Sequence, residues 1–183
     1  MEKNFTQDDV FVSTNSIKLA SINEIANNYA EYLQEYDAQY NGSEFKKIQS
    51  PLEGRFLISL LKKNFYDPII GRTFKLRGYE LNISPQYEVD CEKNKYYPDF
   101  CLSIDNANYE KTLSKIFVEI DGHNFHEKTK EQVTHDKIRE RRLIEHCDGV
   151  VRFSGSEVYD DPDECADEAL DILRKKFVNE LTK

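Results

Sequence analysis

Two runs decide the fold: Tyr97-Pro98-Asp99-Phe100-Cys101-Leu102-Ser103-Ile104 and Lys115-Ile116-Phe117-Val118-Glu119-Ile120-Asp121, joined by the polar stretch 105–113. Both carry β-branched and aromatic residues between polar punctuation, which reads as two strands of a hairpin. Centring the hairpin on position 109 sets Asp99 opposite Glu119. Side chains alternate along a strand, so Glu119 and Asp121 share one face while Ile116, Val118 and Ile120 line the other. The apolar face suits a core. The opposite face gathers Asp99, Glu119 and Asp121, and like charges so placed repel or take up protons. A divalent cation removes the conflict, and hard oxygen donors suit magnesium or manganese. With the hairpin off-centre, the same acids are merely solvated.

Upstream, Ser50-Pro51-Leu52-Glu53 has the form of a helix start, with Ser50 as N-cap, Pro51 at the first helical position and Glu53 closing a capping box. The helix runs to about Asn64. Its apolar stripe is Leu52, Phe56, Leu57, Leu60 and Leu61, and Glu53 falls in the middle of that stripe. Its carboxylate therefore points into the protein or serves the cap. Residues 74–84 are ambiguous between strand and loop, and Gln86–Val89 reads as a strand. Downstream, a charged helix spans about Glu127 to His146, Val150–Phe153 is a short strand, and Ser154 with Glu157 forms another capping box. Asp161-Pro162 opens a last helix with the stripe Ala166, Ala169, Leu170, Leu173 and Phe177. This order predicts an α/β sandwich, antiparallel in its front half, with one parallel strand pair. Residues 17–40 read as a further helix, with Ile22, Ile25, Ala26, Tyr29, Leu33 and Tyr36 on one face. Asn41-Gly42-Ser43 ends it, so residues 1–45 form a polar N-terminus with an accessory helix, and residues 46–183 form the main domain.

The 183 residues suit one domain. With 25 cations against 34 acids the net charge is −9, which excludes a generic basic coat for DNA but not a local basic groove. No apolar run of about 18 residues exists to span a membrane. The first residues, Met-Glu-Lys-Asn-Phe, carry charge and lack the apolar segment of a secretory signal, so a cytoplasmic protein is expected. Cys91, Cys101, Cys147 and Cys165 lack the spacing of a zinc knuckle or a redox dithiol and read as reduced thiols.

Pro98-Asp99 followed by Glu119-Ile120-Asp121 resembles the PD-(D/E)XK nuclease signature. The continuation through Gly122, Phe125-His126-Glu127-Lys128, Asp136, Arg139, Leu143 and Val151-Arg152-Phe153 is similar to one branch of that superfamily, the small endonuclease-like domains related to very-short-patch repair endonucleases. Ser50-Pro51-Leu52-Glu53 and Gln86 stand where that branch has a helical Glu and a strand Gln. The resemblance covers about residues 50–178. It implies a restriction-endonuclease-like core, a central mixed β-sheet flanked by helices, with the N-terminal helix as an addition. It implies that Asp99 and Glu119 hold Mg2+, with Mn2+ as a substitute and the Ile120 carbonyl as a further ligand, and that Glu53 assists the metal or a water. The implied reaction is hydrolysis of DNA to a 5′-phosphate and a 3′-hydroxyl. The superfamily's lysine, two residues after the Glu, is replaced here by Asp121.

His126 can move a proton near neutral pH, with His123 as a rival imidazole. Between residues 126 and 142 stand six cations (Lys128, Lys130, Lys137, Arg139, Arg141, Arg142) against four acids, a basic island in an acidic chain. Lys128 and Lys130 reach for a scissile phosphate or form a solvated helix face. Arg139 either contacts phosphate or pairs with Asp136 three residues before it. The expected partner is nucleic acid, DNA ahead of RNA, and a double-strand cut implies a homodimer. The alternative is a degenerate module of the same fold that binds nucleic acid or a protein without cleaving.

Overall fold

The computed structural model describes residues 47–66, 79–91, 94–106, 111–122 and 129–182. The helix read over 17–40 and the first part of the ambiguous stretch 74–84 lie outside them. The chain order is α1 (Pro51–Tyr66), β1 (Tyr79–Pro85), β2 (Val89–Cys91), β3 (Asn94–Tyr96), β4 (Phe100–Asn106), β5 (Thr112–Asp121), α2 (Lys130–Ile144), β6 (Gly149–Ser154), α3 (Gly155–Asp160) and α4 (Pro162–Leu181).

The main sheet has the order β1-β4-β5-β6. Its first two pairings are antiparallel and β5 runs parallel to β6, so the sheet is mixed, as the element order predicts. The β4–β5 hairpin has the register that a centre at 109 requires: Phe100 pairs with Val118, Leu102 with Ile116 and Ile104 with Ser114. The register shifts only beyond Ile104, toward the loop end. Asp99, one residue before β4, is thereby directed at Glu119.

One face of the sheet packs on α1, α3 and α4. Phe56 of α1 meets Phe100 and Phe153, with ring centroids 5.3 and 5.8 Å apart. Leu102, Ile104, Ile116 and Val118 complete this core, along with Ala166, Ala169, Leu170, Leu173 and Phe177 of α4. Burying a Leu, Val or Phe side chain contributes roughly 1.5–3 kcal/mol. The other face carries a smaller cluster of Val89, Cys101, Phe117 and Leu143. There α2 lies against the sheet but buries only Leu143, while Val133, Ile138 and Ile144 stay exposed. The thin apolar stripe read from the sequence is thus a thin contact.

The caps explain where the helices begin. Ser50 Oγ accepts the Glu53 amide at 3.2 Å, while Glu53 Oε2 accepts the Gln49 amide at 2.9 Å, so the reciprocal bond falls one residue upstream of the N-cap. Ser154 and Glu157 form the complete box of α3, and Asp161 caps α4. Within the described residues, α2 starts at Lys130, where Thr129 and Gln132 make a capping box.

The strand read over Tyr97–Ile104 begins at Phe100 and runs on to Asn106, and the strand read over Gln86–Val89 also differs. Gln86 is not in a strand: β1 ends at Pro85, and Gln86 forms a turn with φ of 48°. The residue adopts this left-handed conformation, uncommon for a side chain other than glycine, asparagine or aspartate. Its amide donates to the Asp99 carbonyl at 2.8 Å. Only at Val89 does a strand resume, in the separate β2–β3 ribbon.

Candidate functional site

The alternation of β5 puts Phe117, Glu119 and Asp121 on the α2 side of the sheet, and the hairpin register adds Asp99 from the start of β4. Asp99 Oδ2 accepts the Ile120 amide at 2.7 Å. Gln86 Nε2 lies 3.3 Å from Asp99 Oδ1 and 3.2 Å from Glu53 Oε2, so one amide group ties the helical acid to the strand acid. Glu53 is both capping and inward-facing: Ser50 Oγ donates to its Oε1 at 2.7 Å, and the residue is 6 % exposed.

Two arginines close the site. Arg139 of α2 donates through Nη1 to Glu119 Oε2 at 2.6 Å and through Nη2 to the Tyr97 carbonyl at 2.9 Å. The guanidinium thus bonds the sheet, a partner that the i,i+3 spacing from Asp136 does not reveal. An apolar stripe with one buried residue leaves α2 little other grip on the sheet, and the carboxylate at its foot is the stronger attraction. Arg152 of β6 is paired in register with Glu119. It grips Asp121 with two bonds, Nε–Oδ2 at 3.0 Å and Nη2–Oδ1 at 2.5 Å, and its Nη2 is 3.9 Å from Glu119 Oε2.

The electrostatics follow from burial. Glu53 is pushed up to about 7, first by burial and then by the charge of Asp99. Burial also raises Asp99, against the Ile120 amide and Gln86, which favour its ionised form. Glu119 rises by burial too, although Arg139 opposes the shift. Three acids are therefore held near one another with a shared resistance to ionising.

Whether a divalent cation suits this place turns on one atom. Glu119 Oε1 is buried without a hydrogen-bond partner, while its Oε2 is bonded to Arg139. An unmet carboxylate oxygen beside Asp99 fits a hard cation in kind. The donor set from the sequence is two acids and a carbonyl: Asp99, Glu119 and Ile120. Among the described residues no group of three or more His, Cys, Asp or Glu side chains is gathered to hold a metal, and Asp121 is engaged by Arg152.

The structure thus brings together Glu53, Asp99, Glu119 and Asp121, with Ile120 donating its amide to Asp99. His126 and Lys128, with the rival His123, lie outside the described residues. Lys130 begins α2 and is exposed. Of the other cations in the basic island, Arg139 belongs to the site and Arg142 pairs with Glu145 at 3.3 Å on the surface. The sequence assigned no role to Arg152, which stood in the resemblance and in the short strand that pairs with β5 without a named partner. Gln86 stood in the resemblance without its role as a bridge. No family model, curated protein or solved structure matches the chain.

Proposed function

We propose that this chain is a metal-dependent nuclease that hydrolyses DNA phosphodiester bonds, built on a restriction-endonuclease-like core. The observation that carries the reading is the meeting of Glu53, Asp99 and Glu119 at one end of a mixed sheet, with Glu119 Oε1 buried and unbonded. Asp99, Glu119 and the Ile120 carbonyl would hold Mg2+ or Mn2+. When bound, such an ion neutralises phosphate charge and lowers the pKa of a bound water. Glu53, at about 7, is able to keep or release a proton at its carboxyl oxygens under physiological conditions, which suits it to order or deprotonate a water. Gln86 holds Glu53 and Asp99 in register with each other. Arg152 offsets part of the charge of Asp121, which still raises Asp99 and Glu119.

His126, Lys128 and Lys130 complete the proposal from the sequence, His126 as a proton carrier and the lysines as phosphate contacts. The setting is the cytoplasm, where buried thiols such as Cys101 and Cys165 stay reduced. A double-strand cut would join two such sites in a homodimer. A second reading, a non-cleaving module of the same fold that binds nucleic acid or a protein, draws on the same ion pairs: Arg139 on Glu119 and Arg152 on Asp121 also suffice to steady the acids.

The test is calorimetric titration of Mg2+ and Mn2+ into wild type, Asp99→Asn and Glu119→Gln, beside gel assays on single-stranded DNA, duplex DNA and RNA. The expected result is cleavage of DNA by wild type and loss of both metal binding and cleavage in each variant, with the far-ultraviolet circular dichroism unchanged. Full cleavage by either variant overturns the assignment. Wild type that neither binds metal nor cuts any of the three substrates selects the non-cleaving module.

A further inference from the structure

A cavity of about 430 Å3 opens between the β2–β3 ribbon and α2. It lies in the range of small-molecule pockets, roughly 300–1,000 Å3. None of the acids of the candidate site lines it. Tyr96, Ile138 and Cys91 supply the less polar walls, and the polar groups around them are mixed: Asp90 and Glu145 accept, Arg142 donates, and Asn94 and His146 can do both. Arg142 and Glu145 pair at 3.3 Å with both side chains more than half exposed, a weak link that a ligand can replace.

This lining selects a chemistry. Among the described lining residues a phosphate or other compact anion would meet Asp90 and Glu145 as well as Arg142 and His146, with no cationic nest to hold it. A flat heterocycle with donors and acceptors around its edge matches the mixed set, and its face has an aromatic ring to stack on. The place of the cavity is equally specific. Arg139 bonds both Glu119 and the carbonyl of Tyr97, the residue after Tyr96. Ile138 and Arg142 stand one and three residues from it on α2. Arg139, bonded to Glu119, is thus a sequence neighbour of residues that line the cavity.

We propose that this cavity receives a nucleobase, stacked on Tyr96 and read at its edge by Asn94, Asp90 and Arg142. The inference rests on the nuclease reading only for the source of the base. A strand held at the carboxylates is one source of such a base, and a free mononucleotide offers the same ring.

The probes are the four deoxynucleoside 5′-monophosphates and deoxyribose 5-phosphate, which lacks the base, each titrated at millimolar concentration in EDTA by calorimetry and by amide chemical shifts. At least one nucleotide should bind, with shifts at Asn94 and Tyr96, and the sugar phosphate should not. Tyr96→Ala should weaken that binding about tenfold, equal to about 1.4 kcal/mol, and Tyr96→Phe should keep it. Arg142→Ala, on the exposed rim, gives a second variant where packing is not at stake, and should weaken binding severalfold. A single-stranded dodecamer that competes with the nucleotide assigns the base to a strand, whereas binding without competition assigns it to a free nucleotide. Failure of all four nucleotides to bind overturns the proposal. So does equal binding of the sugar phosphate, or affinity unchanged in both Tyr96→Ala and Arg142→Ala. Nucleotide binding without any DNA cleavage would leave this site standing and overturn the nuclease reading alone.

Discussion

Replacing Glu53 by Gln should make the protein more stable at alkaline pH and less stable at acid pH. The carboxyl is held at about 7 in the folded protein against an ordinary value of 4.5. The folded state therefore binds this proton more tightly than the unfolded chain, so stability is full below about pH 4.5 and falls as pH rises to about 7. Above that, the ionised Glu53 costs about 3 kcal/mol. A neutral glutamine side chain would carry no such cost. It would, however, keep one oxygen where the carboxylate accepts from Gln49, Ser50 and Gln86, and a lost acceptor costs about 1 kcal/mol. The net gain near pH 8 is about 2 kcal/mol, or a rise in Tm of roughly 4–8 °C for a chain of this size. Near pH 5 most of the ionisation cost is absent, and the variant should melt at or slightly below wild type. Thermal melts by circular dichroism in EDTA, at both pH values, measure the crossing. Parallel behaviour, with the same difference in Tm at both, would refute the view that Glu53 is kept protonated by burial and by Asp99.

Arg139→Ala should destabilise the protein by roughly 3 kcal/mol in urea titrations, because Glu119 is left buried without its cation; added magnesium should recover part of that loss in this variant, and no recovery would count against a cation site at Glu119. Phe100→Ala should cost about 3–5 kcal/mol by the same measurement, since the ring is fully buried against Phe56 at the junction of sheet and α1. Lys130→Ala should leave Tm within about 1 °C, being exposed at the start of α2, while weakening duplex DNA binding in a salt-dependent manner; an affinity equal to wild type at low salt would remove Lys130 from the interface.

The hairpin was legible because two independent signals agree in it. The apolar alternation of Ile116, Val118 and Ile120 sets the faces, and a joint centred on 109 sets Asp99 against Glu119; an off-centre joint stayed open from the sequence, and the observed register selects the centred one. The last helix was legible for a similar reason, since Asp161-Pro162 marks its start and a regular stripe marks its buried face. Gln86 was not, because a left-handed turn at a residue other than glycine has no propensity signal; it is held by the Asp99 carbonyl, a partner thirteen positions away. Arg139 was open between a phosphate contact and the helical pair with Asp136, and Glu119 was not foreseen as its partner. Sequence spacing favours Asp136, yet the buried Glu119 offers a carboxylate in a less screened setting and bonds the guanidinium.

The lysine that the resemblance leads one to expect has an acid in its place, and the parallel pairing of β5 with β6 supplies the cation from elsewhere. Glu119 and Arg152 are partners across that pair, so a long side chain from Arg152 passes Glu119 and reaches Asp121, two residues along the same face. An arginine there can steady charge, but it holds its proton at any working pH and cannot exchange it with a water. Its own basicity is raised further, first by the bonds to Asp121. In the proposed hydrolysis, proton movement near neutrality would then fall to another group, and Glu53 at about 7 has the required range. Arg152→Lys separates the two tasks. It keeps the positive charge but loses the two-bond grip on Asp121, and it should cost about 1 kcal/mol in stability. If cleavage by this variant is slower but follows the same pH profile as wild type, with a limb near 7 that disappears in Glu53→Gln, Arg152 is a charge clamp and Glu53 the titrating group. A limb near 7 that persists in Glu53→Gln would remove Glu53 as the titrating group, whatever Arg152→Lys does to the rate.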